Sequence, residues 1–332
     1  MKELQEILTL LDASAPAGAI LVTLVGVEGS SYRRPGARML LTSEGRRIGS
    51  ISGGCLEDDI IAQAGSVQGS GRAKVVTYDT TSENDLVWGV GLGCHGVVHL
   101  LIEELPPRPE WVDVLRRNIR ERVTTELAVV WQGPEGVRLG TSLAKDIPPQ
   151  PGLNVFRQTV RPPPPLVIFG AGDDARPLVR FAKELGWQVA VVDARPAFAT
   201  PARFPEADST VVARPEEAVA RINPEADSVV IVMTHHYHHD APLLRALLPR
   251  PLAYLGLLGP RKRTEKILAD LQADGLAISP EMRARLHSPV GLDLGADNPE
   301  EIALSILAEI QAGLAGRDAR PLRERTLPIH AE

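Results

Sequence analysis

Near the N-terminus an unbroken apolar run, "AILVTLVGV" at 19–27, predicts a buried strand. "ARMLLTSEGRRIGSI" at 37–51 predicts two short strands around a polar turn at Ser43, Glu44 and Gly45, and "AKVVTYD" and "GVVHLLIEEL" supply two more. Helical patterning falls on 2–12, 55–68 and 109–122, while "ELAVVWQGPEGVRLGTSL" reads as a hairpin broken at Gly-Pro-Glu-Gly. Together these elements describe an α+β domain.

Proline then interrupts the pattern. Neither "DIPPQPG" at 146–152 nor "RPPPP" at 161–165 can continue a helix or a central strand, which sets a boundary near 160 between domains 1–160 and 161–332. Past it the apolar runs become short and continuous: "LVIFG", "QVAVVD", "STVVA", "SVVIVM" and "LAYLGLLG", with a helix at 174–186 and further helical stretches between several of them. Strands of this kind alternating with helices predict a doubly wound parallel sheet covered on both faces. The last helix announces its start in "DNPEE": Asn298 caps, Pro299 suits the first position, and Glu301 completes the capping box. Ile302, Ile306 and Ile310 then share one face.

"VIFGAGDDARPL" places Gly170, Gly172 and Ala175 in G-x-G-x-x-A spacing, after a strand and at the opening of a helix. Such glycines allow the tight turn and the close approach of backbone amides to a pyrophosphate, and Asp193 ends the next strand where a carboxylate accepts ribose hydroxyls. The context predicts a Rossmann-like domain and a nucleotide, NAD(P) or similar, on its edge. Asp173 and Asp174 suit the helix dipole but repel a phosphate there. "MTHHYHHD" follows the fourth strand, so His235 faces a ligand by position, and His235 with His239 forms a candidate metal pair if that segment is helical. In "LLGPRKRTEKI" Arg261, Lys262 and Arg263 enter the next helix at a place suited to an anion, a solvated basic face being the alternative.

Composition narrows the function classes. At 332 residues and 44% hydrophobic, the chain can build two domains, and no stretch of about 18 uninterrupted apolar residues predicts a membrane span. The N-terminal "MKELQEILTLLDAS" is an amphipathic helix with interior acids rather than a signal peptide, which predicts a cytoplasmic protein. A net charge of −6 with dispersed arginines excludes nucleic acid as the expected partner. Two cysteines make neither a disulfide framework nor a structural zinc site.

Both thiols lie among glycines. Gly53 and Gly54 lead into Cys55 near a helix start, where unpaired backbone amides favour a thiolate while Glu57, Asp58 and Asp59 add negative charge that opposes it. A thiolate there serves as a soft metal ligand or a sulfur nucleophile; a buried inert thiol is the alternative. Cys94 sits in "GVGLGCHG", whose Gly91 and Gly93 suit a loop that wraps an oxyanion with main-chain amides. Upstream, "GSSYRRPGARM" offers Arg33, Arg34 and Arg38 as an anion clamp, because guanidinium forks match phosphate.

Taken in order, "GSSYRRPGARML", "GSISGGCLE", "GLGCHG", "VIFGAG", "VVDAR", "VMTHH", "GLLGPRKR" and "LHSPVGLDLGADNPEEIALSILAEI" resemble the XdhC/CoxI family of molybdenum-enzyme maturation factors over nearly the whole chain. The resemblance implies an XdhC/CoxI-type domain followed by a Rossmann domain. It implies a chaperone without turnover of its own that receives molybdenum cofactor (molybdopterin), protects it and supports its sulfuration. The cofactor then passes into a xanthine dehydrogenase-type molybdenum hydroxylase. It also implies that Cys55 contacts the molybdenum or its dithiolene, with Cys94 beside it, and that the arginine and glycine-rich loops hold the pterin phosphate. Expected partners are the hydroxylase apo-enzyme, a cysteine desulfurase and a second copy in a homodimer. The competing reading is an NAD(P)-dependent oxidoreductase built on the Rossmann half.

Overall fold

Strand β1 (Ile20–Gly29) is apolar without alternation because both of its faces are covered. Ile20, Val22 and Leu24 point to one core and Leu21 to the other. It pairs antiparallel with β2 (Arg38–Leu41) and β5 (Gly96–Glu104), and β3 (Arg47–Gly49) and β4 (Lys74–Asp79) complete a five-stranded sheet in the order β3-β2-β1-β5-β4. Helices α1 (Lys2–Ser14) and α3 (Glu110–Arg120) supply Ile7, Leu11, Trp111 and Leu115 to the core on the Leu21 side. On the other side, α2 (Glu57–Gly65) buries Ile60 and Ala64 against Val22, Leu100 and Ile102. A three-stranded antiparallel sheet, β7-β6-β8, follows, formed by β6 (Thr125–Gln132), β7 (Gly140–Leu143) and β8 (Asn154–Val160).

The structure is a computed structural model that describes residues 1–14, 18–79, 81, 96–326 and 329. The chain divides into two compact units, Met1–Pro162 and Pro163–Glu332. In the first, the hairpin of β6 and β7 forms as the apolar runs predict. β8 goes beyond the sequence reading: it lies between the two proline-rich stretches and was hidden by them.

The second unit is a mixed α/β domain with a six-stranded parallel sheet ordered β11-β10-β9-β12-β13-β14. Its strands are β9 (Pro165–Phe169), β10 (Gln188–Asp193), β11 (Ser209–Val212), β12 (Val229–Val232), β13 (Tyr254–Leu257) and β14 (Leu286–His287). The chain runs outward from β9 through β10 to β11, then returns to β12 beside β9, so the order reverses between β9 and β12. This is the Rossmann arrangement, with its ligand crevice at the carboxyl ends of the strands around the reversal. Helices α4 (Ala175–Glu184) and α9 (Pro299–Leu314) pack on one face, with Leu178, Ile306 and Ile310 fully buried. The opposite face is covered by α5 (Pro215–Ile222), α6 (Tyr237–Leu247) and α7 (Arg261–Ala273). α9 begins as its sequence predicts: Asn298 Oδ1 accepts from the Glu301 amide at 2.9 Å, and Glu301 Oε2 accepts from the Asp297 amide at 2.8 Å. No helix among the described residues is long and apolar enough to cross a membrane.

Candidate functional site

In the first unit the chain between β3 and α2, residues 50–56, closes around a single carboxylate. Glu57 is only 2% exposed. Its Oε1 accepts from Ser50 Oγ at 2.8 Å, the Ile51 amide at 3.1 Å and the Ser52 amide at 2.9 Å. Its Oε2 accepts from Ser52 Oγ, the Gly54 amide at 2.8 Å and the Leu56 amide at 3.2 Å. Burial opposes ionisation of this group, yet the bonds from Ser52, Ser50 and the Ile51 amide outweigh it and hold its pKa down to about 2. Gly53 and Gly54, at φ +82° and +123°, turn the backbone so that its amides face inward. The thiol of Cys55 is exposed at the crest of the loop.

From the sequence the helix-start amides are open both to the thiol and to the acids of the first turn; the structure gives those of Gly54 and Leu56 to Glu57. The acidic trio is also divided. Glu57 is internal, Asp59 accepts from the Tyr78 hydroxyl at 2.6 Å, and Asp58 is exposed. Tyr32, 64% exposed, lays its ring beside Gly53, where an added Cβ would stand 2.9 Å from the ring. Nothing in the sequence pointed to Tyr32 beyond its place in the arginine loop.

The three arginines have different surroundings. Arg33 is bidentate to Glu3 of α1, with Nη1 to Oε1 at 2.9 Å and Nη2 to Oε2. Arg34 is exposed on the same loop. Arg38 corrects the expectation: it is 3% exposed, and its Nη1 donates to the Gly36 carbonyl at 3.2 Å and to Gln158 Oε1 at 2.5 Å. Burial pushes its pKa down to about 10 against the pull of buried Glu103. A strand position inside the core, not a surface loop, decides its fate. Cys94, Gly91 and Gly93 lie outside the described residues. Gly96, two residues after Cys94, does approach the arginine loop, since a Cβ there would lie 2.1 Å from the Ser30 carbonyl oxygen.

In the second unit the glycine turn is built as the fingerprint predicts. Gly170, at φ +119°, passes so close to β12 that a Cβ would lie 2.4 Å from the Met233 carbonyl oxygen. Asp193, at the end of β10, is saturated. Its Oδ1 accepts from the Arg195 amide and Nε, each at 2.9 Å, and its Oδ2 from the Ala171 amide and Arg195 Nη2, each at 2.8 Å. Burial raises its pKa, but these bonds reverse the effect and leave it below the ordinary value. All four lone-pair sites of the carboxylate are thus used within the chain, and a ribose would have to displace Arg195. The Arg195 guanidinium also lies 3.7 Å over the Phe198 ring.

Asp174 stands over Gly172, its Oδ1 2.5 Å from where a Cβ would be, and its Oδ2 meets His235 Nε2 at 2.5 Å. The bond to Asp174 raises the His235 pKa above its usual value despite partial burial. His235 takes φ +58°, a left-handed conformation that few residues other than glycine adopt, and leads into α6. Beside it Asp240 is fully buried, accepting from Thr234 Oγ1 at 2.6 Å and pairing with Arg263 Nη2 at 3.2 Å. The basic residue turned inward on α7 is therefore Arg263; Arg261 is exposed at the start of that helix. A cavity of about 190 Å³ opens at this edge between Asp193, Arg195, Pro215, His235, His236 and His239. Among the described residues, no group of three or more His, Cys, Asp or Glu side chains is arranged to hold a metal ion.

Both halves have recognisable counterparts. Residues 13–79 match the XdhC and CoxI family and residues 166–310 match the XdhC Rossmann domain. A Bacillus subtilis protein described as a probable xanthine dehydrogenase subunit is 34% identical, over 91% of this chain and 96% of its own length. The chain belongs to the XdhC/CoxI family. Another similar protein is the Escherichia coli molybdenum cofactor insertion chaperone PaoD, 29% identical over 88% of this chain and 82% of its own. A crystal structure described as a xanthine dehydrogenase from Bacillus halodurans superposes with a TM-score of 0.79 at 31% identity, covering 97% of this chain and 99% of that one. The Cys55 loop falls within the stretch matched to the XdhC and CoxI family, and the Asp193–Arg195 and Asp174–His235 pairs fall within the matched Rossmann domain.

Proposed function

We propose that this chain is a molybdenum cofactor-binding chaperone that protects the cofactor, supports its sulfuration and delivers it to a xanthine dehydrogenase-type molybdenum hydroxylase. The observation that carries the reading is the exposed Cys55 thiol, set on a loop whose backbone is anchored from both sides. The names of the similar proteins, an insertion chaperone and a xanthine dehydrogenase subunit, support it. The cargo is anionic and sulfur-rich, so a soft sulfur donor at Cys55, an exposed aromatic face at Tyr32 and the cation of Arg34 suit its recognition. Exposure also suits hand-over, because a cargo held at the surface can pass to the apo-hydroxylase without unfolding of the carrier.

Purified protein mixed anaerobically with molybdenum cofactor should co-elute with it stoichiometrically in gel filtration, and Cys55→Ala should release it. Equal retention by both proteins would sink the thiol contact. Delivery from a cysteine desulfurase and a homodimeric carrier belong to the same proposal, and pull-down and sedimentation test them.

The alternative, an NAD(P)-dependent oxidoreductase, has one observation in its favour: His235 and Asp174 form an acid–base pair at the ligand edge of the Rossmann sheet. Against it, the Asp174 carboxylate stands over Gly172 on the phosphate's approach, and Asp193 is already filled. Calorimetry with NAD, NADP, ATP and CTP measures whether a nucleotide displaces these contacts. Tight NAD binding together with a substrate-dependent absorbance change would promote the alternative.

A further inference from the structure

We infer that Glu57 is the positioning residue for Cys55, an internal anion around which residues 50–56 are wound so that the thiol is presented on a fixed backbone. The inference rests on the reading that Cys55 meets the cargo, and it goes beyond that reading by naming what holds the thiol in place.

Apolar packing holds the two ends of the loop, Ile51 inside the core and Leu56 packed against it, but not its middle. Of residues 50–56 only Ile51 is buried, and Gly53, Gly54 and Cys55 are exposed. At the crest the apolar contact is the largely exposed Tyr32 ring beside Gly53. Six donors converge on one carboxylate instead, two hydroxyls and four amides, and two of those amides belong to the residues on either side of Cys55. Ser52 Oγ adds a second tie by accepting from the Leu56 amide at 2.8 Å, and Ser50 Oγ accepts from the Gly53 amide at 3.0 Å. Hydrogen bonds to an ionised acceptor are roughly twice as strong as neutral ones, so the ionised form of Glu57 is what gives the winding its strength.

The glycines serve the same end. At Gly54 an added Cβ would touch nothing within 4 Å, so only its φ of +123° demands glycine, and that φ turns its amide toward Glu57. A loop already ordered before the cargo arrives does not lose that freedom on binding, and the thiol stands in one geometry rather than many.

The test uses the full chain, with Cys94→Ser introduced for the alkylation readout alone, and needs no cofactor for its first two readouts. In Glu57→Gln, hydrogen exchange at the Ile51, Ser52, Gly54 and Leu56 amides should accelerate by about tenfold or more, while amides of β1 and β5 keep their protection. In Glu57→Ala, added formate should restore both that protection and the rate of Cys55 alkylation by iodoacetamide, while formamide should not. Carboxylate-specific rescue is an outcome that a merely space-filling role cannot produce. Unchanged exchange in Glu57→Gln, loss of protection throughout β1 and β5, or equal effects of formate and formamide would each overturn the inference. Cofactor retention separates it from the reading on which it rests: retention lost in Cys55→Ala but intact in Glu57→Gln overturns the positioning role alone.

Discussion

Substituting alanine at the two glycines of the Rossmann turn should give opposite profiles, because the structure makes different demands at Gly170 and Gly172. Gly170 combines φ +119° with a Cβ position 2.4 Å from the Met233 carbonyl oxygen and 2.6 Å from its carbon. The dihedral alone costs about 1–3 kcal/mol in a residue with a side chain. Relieving the overlap means parting β9 from β12, and overpacking of that kind costs about 1–3 kcal/mol more. Gly170→Ala should therefore lose about 4 kcal/mol, which in a unit of this size lowers Tm by about 10 °C. Gly172 has no left-handed φ, and its Cβ would meet only the carboxylate of Asp174, a side chain rather than backbone. Gly172→Ala should cost less than about 1 kcal/mol, yet it must push Asp174 off His235. Calorimetry of the full chain, with hydrogen exchange followed at β9 and β12, reads the first effect. Histidine ring NMR reads the second, as a fall in the His235 titration midpoint. Equal Tm values for the two variants, or a His235 midpoint unmoved in Gly172→Ala, would refute this account of the turn.

Three further outcomes follow from the ionisable groups. Because Asp174 raises the His235 pKa, the stability from this pair is complete below about pH 6.5 and is lost as pH rises through the folded value, so Asp174→Asn should flatten the dependence of the urea midpoint across that window. Holding Glu57 at about 2 rather than 4.5 corresponds to about 3 kcal/mol, present above pH 4.5 and lost as pH falls toward 2. Urea midpoints of the parent and Glu57→Gln should accordingly converge over that range, and parallel curves would count against the carboxylate's role in the winding. Arg38→Met strips the buried Glu103 of one of the two cations that act on it, Arg138 being the other, and should cost about 3 kcal/mol in urea unfolding, while adding Glu103→Gln should recover part of the loss; a cost within about 0.5 kcal/mol, as for an exposed arginine, would refute the burial argument.

Patterns that depend on near neighbours in the chain were readable. The run at 19–27, the glycine spacing at 170–175 and the Asn298–Glu301 cap each announce a local geometry, and each element forms where its pattern lies. Patterns that depend on what a segment folds against were not. Arg38 sits among strand residues in "ARMLL", but its burial is set by Gln158, which is 120 positions away. The acids at 57–59 look alike in sequence, and only what each folds against separates the internal Glu57 from the exposed Asp58 and from Asp59, which is tied to Tyr78. The segment "NVFRQTV" carries strand-forming residues, but the prolines on both sides mask it, and its pairing with β6 appears only once the hairpin exists. The apolar run puts Asp193 at a strand end, while its capture by Arg195, two residues on, is a matter of rotamer and not of spacing.

Strand β8 also has a consequence for synthesis. Its residues complete the sheet with β6 and bring Gln158 to Arg38, so the first unit closes only with material from its own last few positions. A ribosome must therefore release the chain past Val160 before Arg38 finds its acceptor, although β1, β2 and β5 have emerged long before. Until then a guanidinium destined for the core waits in water, and the nascent first unit is open on the side that β8 will cover. A fragment ending at the first proline cluster should thus behave as an arrested folding state, and the shortest autonomous first unit should end no earlier than Pro162.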